Sequence, residues 1–286
     1  MSERRDITDG LLYRGKNRGL IYTKILGWID LGHARGADMV RLKRLLFEEK
    51  GRKFFPELNE WYFPVDYYQE MAKKFKSTTL HFWGGVNAPL MVRSCLSDDI
   101  KKRIALTIMM KTAWRFEAFQ ESSIIRRHTD SGFSCEDLVS DLVGFYRIFG
   151  DDIDPLLFSQ PTSLPYALSI WDHYGPVGSF KNRGFKPLLF PKPSSPGKLL
   201  PRQGLLPSWL NYIKPLDDLT SKYISNRFHG RPVEGFFKNR NKINIEIYGS
   251  VRTGFGFRDK ISMPSHFYIN PHYPKPPDYF SVKDEQ

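Results

Sequence analysis

The chain has 286 residues, 41% of them hydrophobic and 15% aromatic, with a formal net charge of +12. This composition excludes a disordered chain and suffices for one large core or two small ones. Two cysteines exclude a disulfide scaffold, and the basic balance points to polyanions, although solubility alone is served by the same charge.

The first residues, Met1-Ser2-Glu3-Arg4-Arg5-Asp6, are charged and no apolar h-region follows them. A Sec signal peptide is therefore not expected. No apolar run approaches the ~20 residues that span a bilayer. The expectation is a chain made in the cytoplasm, with any action in the periplasm or outside requiring a non-Sec route.

Residues 1–32 mix Gly, Tyr and basic residues and predict turns and short strands. Ala37 to Lys50 has helical spacing, with Met39, Leu42, Leu45 and Leu46 on one face. Val65 to Lys76 is expected as a second amphipathic helix, and Thr78 to Trp83 as a short strand. Ser97 is a good N-cap, and Asp98 and Asp99 suit the start of a helix running to about Glu121. From Leu106 to Phe119 nearly every position is apolar, so that half of the helix should be buried on most sides. Ser134 is expected to cap the next helix, with Asp137 in capping-box spacing. Its stripe is Leu138, Leu142, Phe145, Ile148 and Phe149, and Gly150 closes it.

Gly184 to Pro207 is rich in Pro, Gly and Ser and reads as a loop or linker. Beyond it, Lys242 to Tyr248 alternates as a strand. Gly254-Phe255-Gly256-Phe257 and His266-Phe267-Tyr268-Ile269 suggest further strands. The fold expected is α+β, with a helical core around a buried central helix and a smaller β-rich C-terminal part. The expected segments are 1–183 for the mainly helical core, 184–207 for the linker and 208–286 for the β-rich part packed on the core.

Several side chains are candidates for chemistry. Glu117 falls on an apolar face with Leu106, Met110, Ala113 and Trp114. A carboxylate there is desolvated, which raises its pKa and fits it for proton transfer; the alternative is a buried salt bridge to Arg35 or Arg115. Asp30 and His33, as Asp-x-x-His, put a carboxylate in reach of an imidazole. The alternative is that either residue merely caps the following helix. Arg35 adds an anion-binding fork. Cys135 sits in a first helical turn, but Glu136 and Asp137 oppose thiolate formation, which favours a packing role. The seven histidines form no HExxH pair, and no cofactor is signalled. Basic and aromatic residues interleave at Phe236-Phe237-Lys238-Asn239-Arg240-Asn241-Lys242 and at Val251-Arg252, a pattern suited to bases or sugars with phosphates.

Two strings carry a family resemblance. Ile29-Asp30-Leu31-Gly32-His33 with Arg35 forms the first. Phe133, Ser134, Glu136, Asp137, Leu138, Ser140, Leu142 and Gly144 form the second. In this order they resemble a bacterial family catalogued as Domain of Unknown Function 4056, over about residues 20–150. Asp141 stands where the family pattern has Asn. Arg115-Phe116-Glu117 stands where it has Trp-His-Glu, so only the Glu carries over. The resemblance implies a polar cluster of Asp30, His33, Glu117, Glu136 and Asp137, and an envelope role.

Three functions compete. The first is a hydrolase of the bacterial envelope, most plausibly of peptidoglycan, with Glu117 as general acid and Asp30 and His33 assisting. Arg35, Glu136, Asp137 and Trp114 would hold an anionic glycan, with sugars stacking on aromatic rings. Such a protein would be an exported antibacterial effector with a secretion-machinery or immunity partner. The second is a nucleic-acid-binding protein or nuclease, which requires basic residues gathered on one face. The third is a non-catalytic structural or adaptor protein whose polar residues form a buried network with no cleft.

Overall fold

The computed structural model describes residues 2–56, 58–74, 80–121, 132–150, 154–193, 200–216, 223–225, 227–228, 231–232, 245–251 and 259–262; at 70–74, 80–89, 119 and beyond 224 it describes the backbone alone. The fold is α+β. In chain order come β1 (Leu20–Thr23), β2 (Gly27–Asp30), α1 (Leu31–Ala34), α2 (Ala37–Glu48), β3 (Lys53–Phe55), β4 (Glu60–Lys74), β5 (Leu80–Arg93) and α3 (Asp98–Glu121). There follow α4 (Asp137–Phe149), α5 (Pro155–Phe158), α6 (Leu164–Tyr174), β6 (Leu188–Leu189), β7 (Arg202–Gln203) and β8 (Ile224–Ser225). The series ends with β9 (Arg227–Phe228), β10 (Arg231–Pro232), β11 (Ile245–Val251) and β12 (Asp259–Ser262). No described helix is long and apolar enough to cross a membrane.

The chain divides into two compact units, each drawing on two stretches of sequence: 1–40 with 120–215, and 41–119 with 216–286. Contiguous segments parted at 183 and 207 were expected.

In the first unit, β1-β2-β6-β7 form one sheet. β1 and β2 are antiparallel, with Ile21 opposite Ile29 and Tyr22 opposite Trp28. β6 joins β2 in parallel at Gly27 and Leu188. Gly27 is obligatory: its φ is +71°, and a Cβ there would lie 2.1 Å from the Leu188 carbonyl oxygen. The 184–207 segment, expected as a loop or linker, contributes β6 and β7, and its residues 194–199 lie outside the described residues. Strands of two residues carry no periodicity for a sequence to display. Aromatic packing fixes them: the Tyr22 hydroxyl donates to the Phe190 carbonyl (2.8 Å) and accepts from its N–H (2.9 Å). Beneath lies a core of Ile7, Leu20, Tyr22, Trp28, Cys135, Ile170, Trp171, Val177 and Phe190. The Trp28 and Trp171 rings meet edge to face at 5.9 Å, a preferred aromatic geometry.

In the second unit, β12-β11-β5-β4-β3 form the larger sheet, with β8 also on β5. Here the helix expected over Val65 to Lys76 is a strand as far as Lys74, and 75–76 lie outside the described residues. Phe63, Val65 and Tyr67 are buried while Tyr68 is exposed and Asp66 half-buried, a period of two that prevails over the helical reading. Of the short strand expected over 78–83, residues 80–83 open the long β5, and 78–79 lie outside the described residues. The strand expected over 242–248 is found as β11, its first residues lying outside the described residues along with 254–257 and 266–269. α3 matches its predicted bounds, and Ser97 Oγ accepts from the Ile100 N–H as a cap (3.4 Å). Ile104, Leu106, Ile108, Met109, Ala113, Trp114 and Phe116 are all buried, so this half of α3 is enclosed on most sides.

Candidate functional site

The first motif string turns a strand into a helix. Asp30 ends β2 and is the N-cap of α1: its Oδ1 accepts from the Gly32 N–H at 2.6 Å and the His33 N–H at 3.4 Å. Capping of this kind satisfies backbone donors that a helix start leaves open. Gly32 gives the carboxylate room, since a Cβ there would lie 2.9 Å from Asp30 Oδ1. The hydrogen-bond partner of the imidazole is Asp141 and not Asp30, whose Oδ1 serves the backbone and whose charge still acts on His33.

The second string is α4 and its entry. The helix starts at Asp137 with Glu136 as N-cap. Ser134, expected to cap it, lies two residues earlier, buried, bridged through its backbone to Lys181 and accepting the Asp137 N–H with its carbonyl. Gly150 closes α4 as expected, its N–H donating to the Tyr146 carbonyl.

The two strings meet. The Ser140 hydroxyl donates to the Glu136 carbonyl (2.6 Å) and accepts the Asp30 N–H (2.9 Å), tying β2 to α4. Gly36, at φ +67°, packs on Gly144: a Cβ on Gly36 would lie 2.5 Å from the Gly144 carbonyl oxygen, and one on Gly144 would lie 2.7 Å from that of His33. Arg147 completes the joint by donating to the Ala34 carbonyl at 3.0 Å.

That joint sets His33 against α4. Its Nδ1 lies 2.9 Å from Asp141 Oδ1, and its side chain is 35% exposed against 7% for Asp141. Desolvation disfavours the imidazolium, but the carboxylates of Asp141, Asp137 and Asp30 outweigh it and hold the His33 pKa well above its ordinary value. Nδ1 then donates to Asp141, and Nε2 is left to carry an exchangeable proton. Asp137 and Asp141 stand one turn apart on α4, so both charges act on one imidazole.

Glu136 is the second tuned group. It is 2% exposed. Burial pushes its carboxyl up to about 7; its own backbone N–H opposes the rise, Asp30 adds to it, and His33 and Ser2 oppose it. Ser2 Oγ donates to Oε1 at 3.4 Å, while the buried Oε2 has no hydrogen-bond partner among the described residues. Cys135 is buried in the core. Burial, then Glu136 and Asp137, raise its thiol pKa well above the ordinary value, so it is a packing residue and not a nucleophile.

Glu117 and Trp114 are on α3, in the second unit, where Glu117 is 1% exposed. Trp114 is a buried core side chain, which removes it as a platform for sugars. Glu121 is largely covered and pairs with Arg183 at 2.8 Å. Arg35 is exposed and lines an open cleft of about 340 Å³ with Tyr13, Arg14, Lys16, Arg147 and Asp154. The basic and aromatic interleaving at 236–242 and at Arg252 lies outside the described residues, as do His128, His229, His266 and His272. Among the described residues no group of three or more His, Cys, Asp or Glu is placed to hold a metal ion.

Sequence reasoning missed Asp141. Its signal was present as the acid standing where the resembled family has Asn, four residues after Asp137. No family model, curated protein or solved structure matches the chain.

Proposed function

We propose that the first unit holds the acid–base centre of a hydrolase for an anionic polymer of the bacterial envelope, peptidoglycan above all. His33 is its proton donor, Asp141 orients and charges the imidazole, and Glu136 is the base. The observation that carries this reading is the part-exposed His33 bonded to Asp141 at 2.9 Å near a buried carboxyl tuned to about 7. General acids and bases work best with pKa values near the working pH. His33, charged, would pass its Nε2 proton to the leaving oxygen. Glu136, partly ionised at neutral pH, would take a proton from the attacking water. The net charge of +12 favours an anionic substrate. Glu117, in the second unit, has no step in this reading. Delivery to the periplasm, with a secretion or immunity partner, belongs to the same proposal.

The test is release of soluble fragments from purified sacculi by wild type, His33→Gln, Asp141→Asn and Glu117→Gln, each checked for folding by circular dichroism. Loss of a general acid lowers the rate about 10²–10⁴-fold, so His33→Gln should abolish release and Glu117→Gln should retain it. Folded wild type that releases nothing overturns the reading.

A non-catalytic role is favoured by one specific observation: the Asp30 carboxylate and the Ser140 hydroxyl are both spent on the backbone. On that reading the cluster fixes the β2–α1–α4 joint, and the same substitutions alter stability with no activity to lose.

A further inference from the structure

We infer that the cleft beside α1 is a binding site for a phosphoryl group carried on a small organic moiety. Its lining gathers Arg14, Lys16, Arg35 and Arg147 around a single carboxylate, Asp154. That carboxylate is already engaged. Its Oδ2 accepts the Tyr13 hydroxyl at 2.8 Å, and its Oδ1 accepts the Leu156 N–H at 3.1 Å and lies 3.5 Å from Arg147 Nε. Arg147 is likewise committed, to Asp154 and to the Ala34 carbonyl.

The remaining cations are not neutralised. Among the described residues neither Arg14, Lys16 nor Arg35 is paired with a carboxylate, and all are exposed. The Lys16 ammonium rests against the Thr8 hydroxyl, which leaves its charge intact. Burial, then Asp154, raise the Tyr13 pKa against the opposing hydrogen bond and charge of Arg14, so Tyr13 is a neutral ring there and not a competing anion, and Arg14 contacts it without losing its charge. Two guanidinium forks and an ammonium around one opening exceed what a single carboxylate requires and match the three peripheral oxygens of a phosphate ester. The volume of about 340 Å³ leaves space for an attached group of sugar size. This site rests on geometry and charge alone and stands whether or not His33 is catalytic.

The test is calorimetric titration of the full chain with pyrophosphate and with a hexose 6-phosphate, at fixed ionic strength, with acetate as the carboxylate control. Wild type, Arg35→Ala, Arg14→Ala and Arg202→Ala are compared; Arg202 is an exposed cation on β7 outside the cleft. Because the replaced side chains are exposed, the variants should fold, which urea unfolding verifies. The expected result is saturable binding of both phosphates, about tenfold weaker in each cleft variant and unchanged in Arg202→Ala. The inference is overturned by an equal loss in Arg202→Ala, which marks diffuse screening, by acetate binding as tightly, or by no saturation in wild type.

Discussion

His33 and Asp141, 108 residues apart in sequence, meet with Nδ1 of the one 2.9 Å from Oδ1 of the other. The pair explains why an imidazole close to three carboxylates has its pKa raised well above the ordinary value despite its loss of water. Replacing Asp141 by Asn keeps the shape and removes the nearest charge. The His33 pKa should then fall toward the ordinary value of about 6.5, read by NMR titration of its ring protons. An unchanged midpoint would show that Asp141 is not what raises it.

Glu136 makes stability depend on pH. Its carboxyl titrates near 7 when folded against 4.5 ordinarily, so the folded chain keeps the proton longer. The contribution is full below about pH 4.5 and is lost as pH rises through 7. At 1.36 kcal/mol per unit the loss is about 3 kcal/mol. His33, also raised when folded, adds a loss at higher pH. Glu136→Gln should flatten the decline between pH 5 and 8 in urea unfolding. A slope equal to that of wild type would sink this account.

The glycine contact between α1 and α4 should be intolerant of a methyl group. Gly144→Ala forces a Cβ to 2.7 Å from the His33 carbonyl oxygen, backbone against backbone, at a cost of roughly 1–3 kcal/mol. Gly36→Ala adds a left-handed residue to a 2.5 Å clash and should cost more. Gly175→Ala, at φ +90° and ψ −167° with open space around it, isolates the conformational part, roughly 1–3 kcal/mol in a region essentially restricted to glycine. Gly36→Ala, which combines the clash with the conformational cost, is expected to have the lowest denaturant midpoint of the three.

In the second unit, Glu49 is a buried anion between cations. It pairs with Lys101 at 2.8 Å and with Arg52, and accepts the Cys95 N–H. Desolvation works against its charge, but Lys101, the Cys95 N–H and Arg52 prevail and lower its pKa. Its contribution is therefore present above about pH 4.5 and lost as pH falls through the folded value. Glu49→Gln should cost about 3–5 kcal/mol at pH 7, because Lys101 is left buried and uncompensated. Adding Lys101→Met should recover part of it, the sign expected of coupled neighbours.

The α+β class, the bounds of α3, its enclosed second half and the C-terminus of α4 were legible because each rests on a periodicity or a cap within one element. The motif residues were legible as a cluster, but their roles were not. Asp30 could cap or orient, and both fit Asp-x-x-His; only the 2.6 Å bond from the Gly32 N–H decides for capping. Trp114 reads equally as core or as platform until its burial is seen.

What the sequence by itself determined is local: where α3 and α4 stop, and that two cysteines are too few for a disulfide scaffold and no apolar run is long enough for a membrane helix. The tertiary structure alone decided that Asp141 and not Asp30 serves His33, that 184–207 contributes strands, and that Arg14, Lys16 and Arg35 share one cleft. Helix and strand periods are set by neighbours a few residues apart, whereas carboxylate partners and shared clefts are set by which surfaces the burial of Trp28, Trp171 and the Gly36–Gly144 contact bring together.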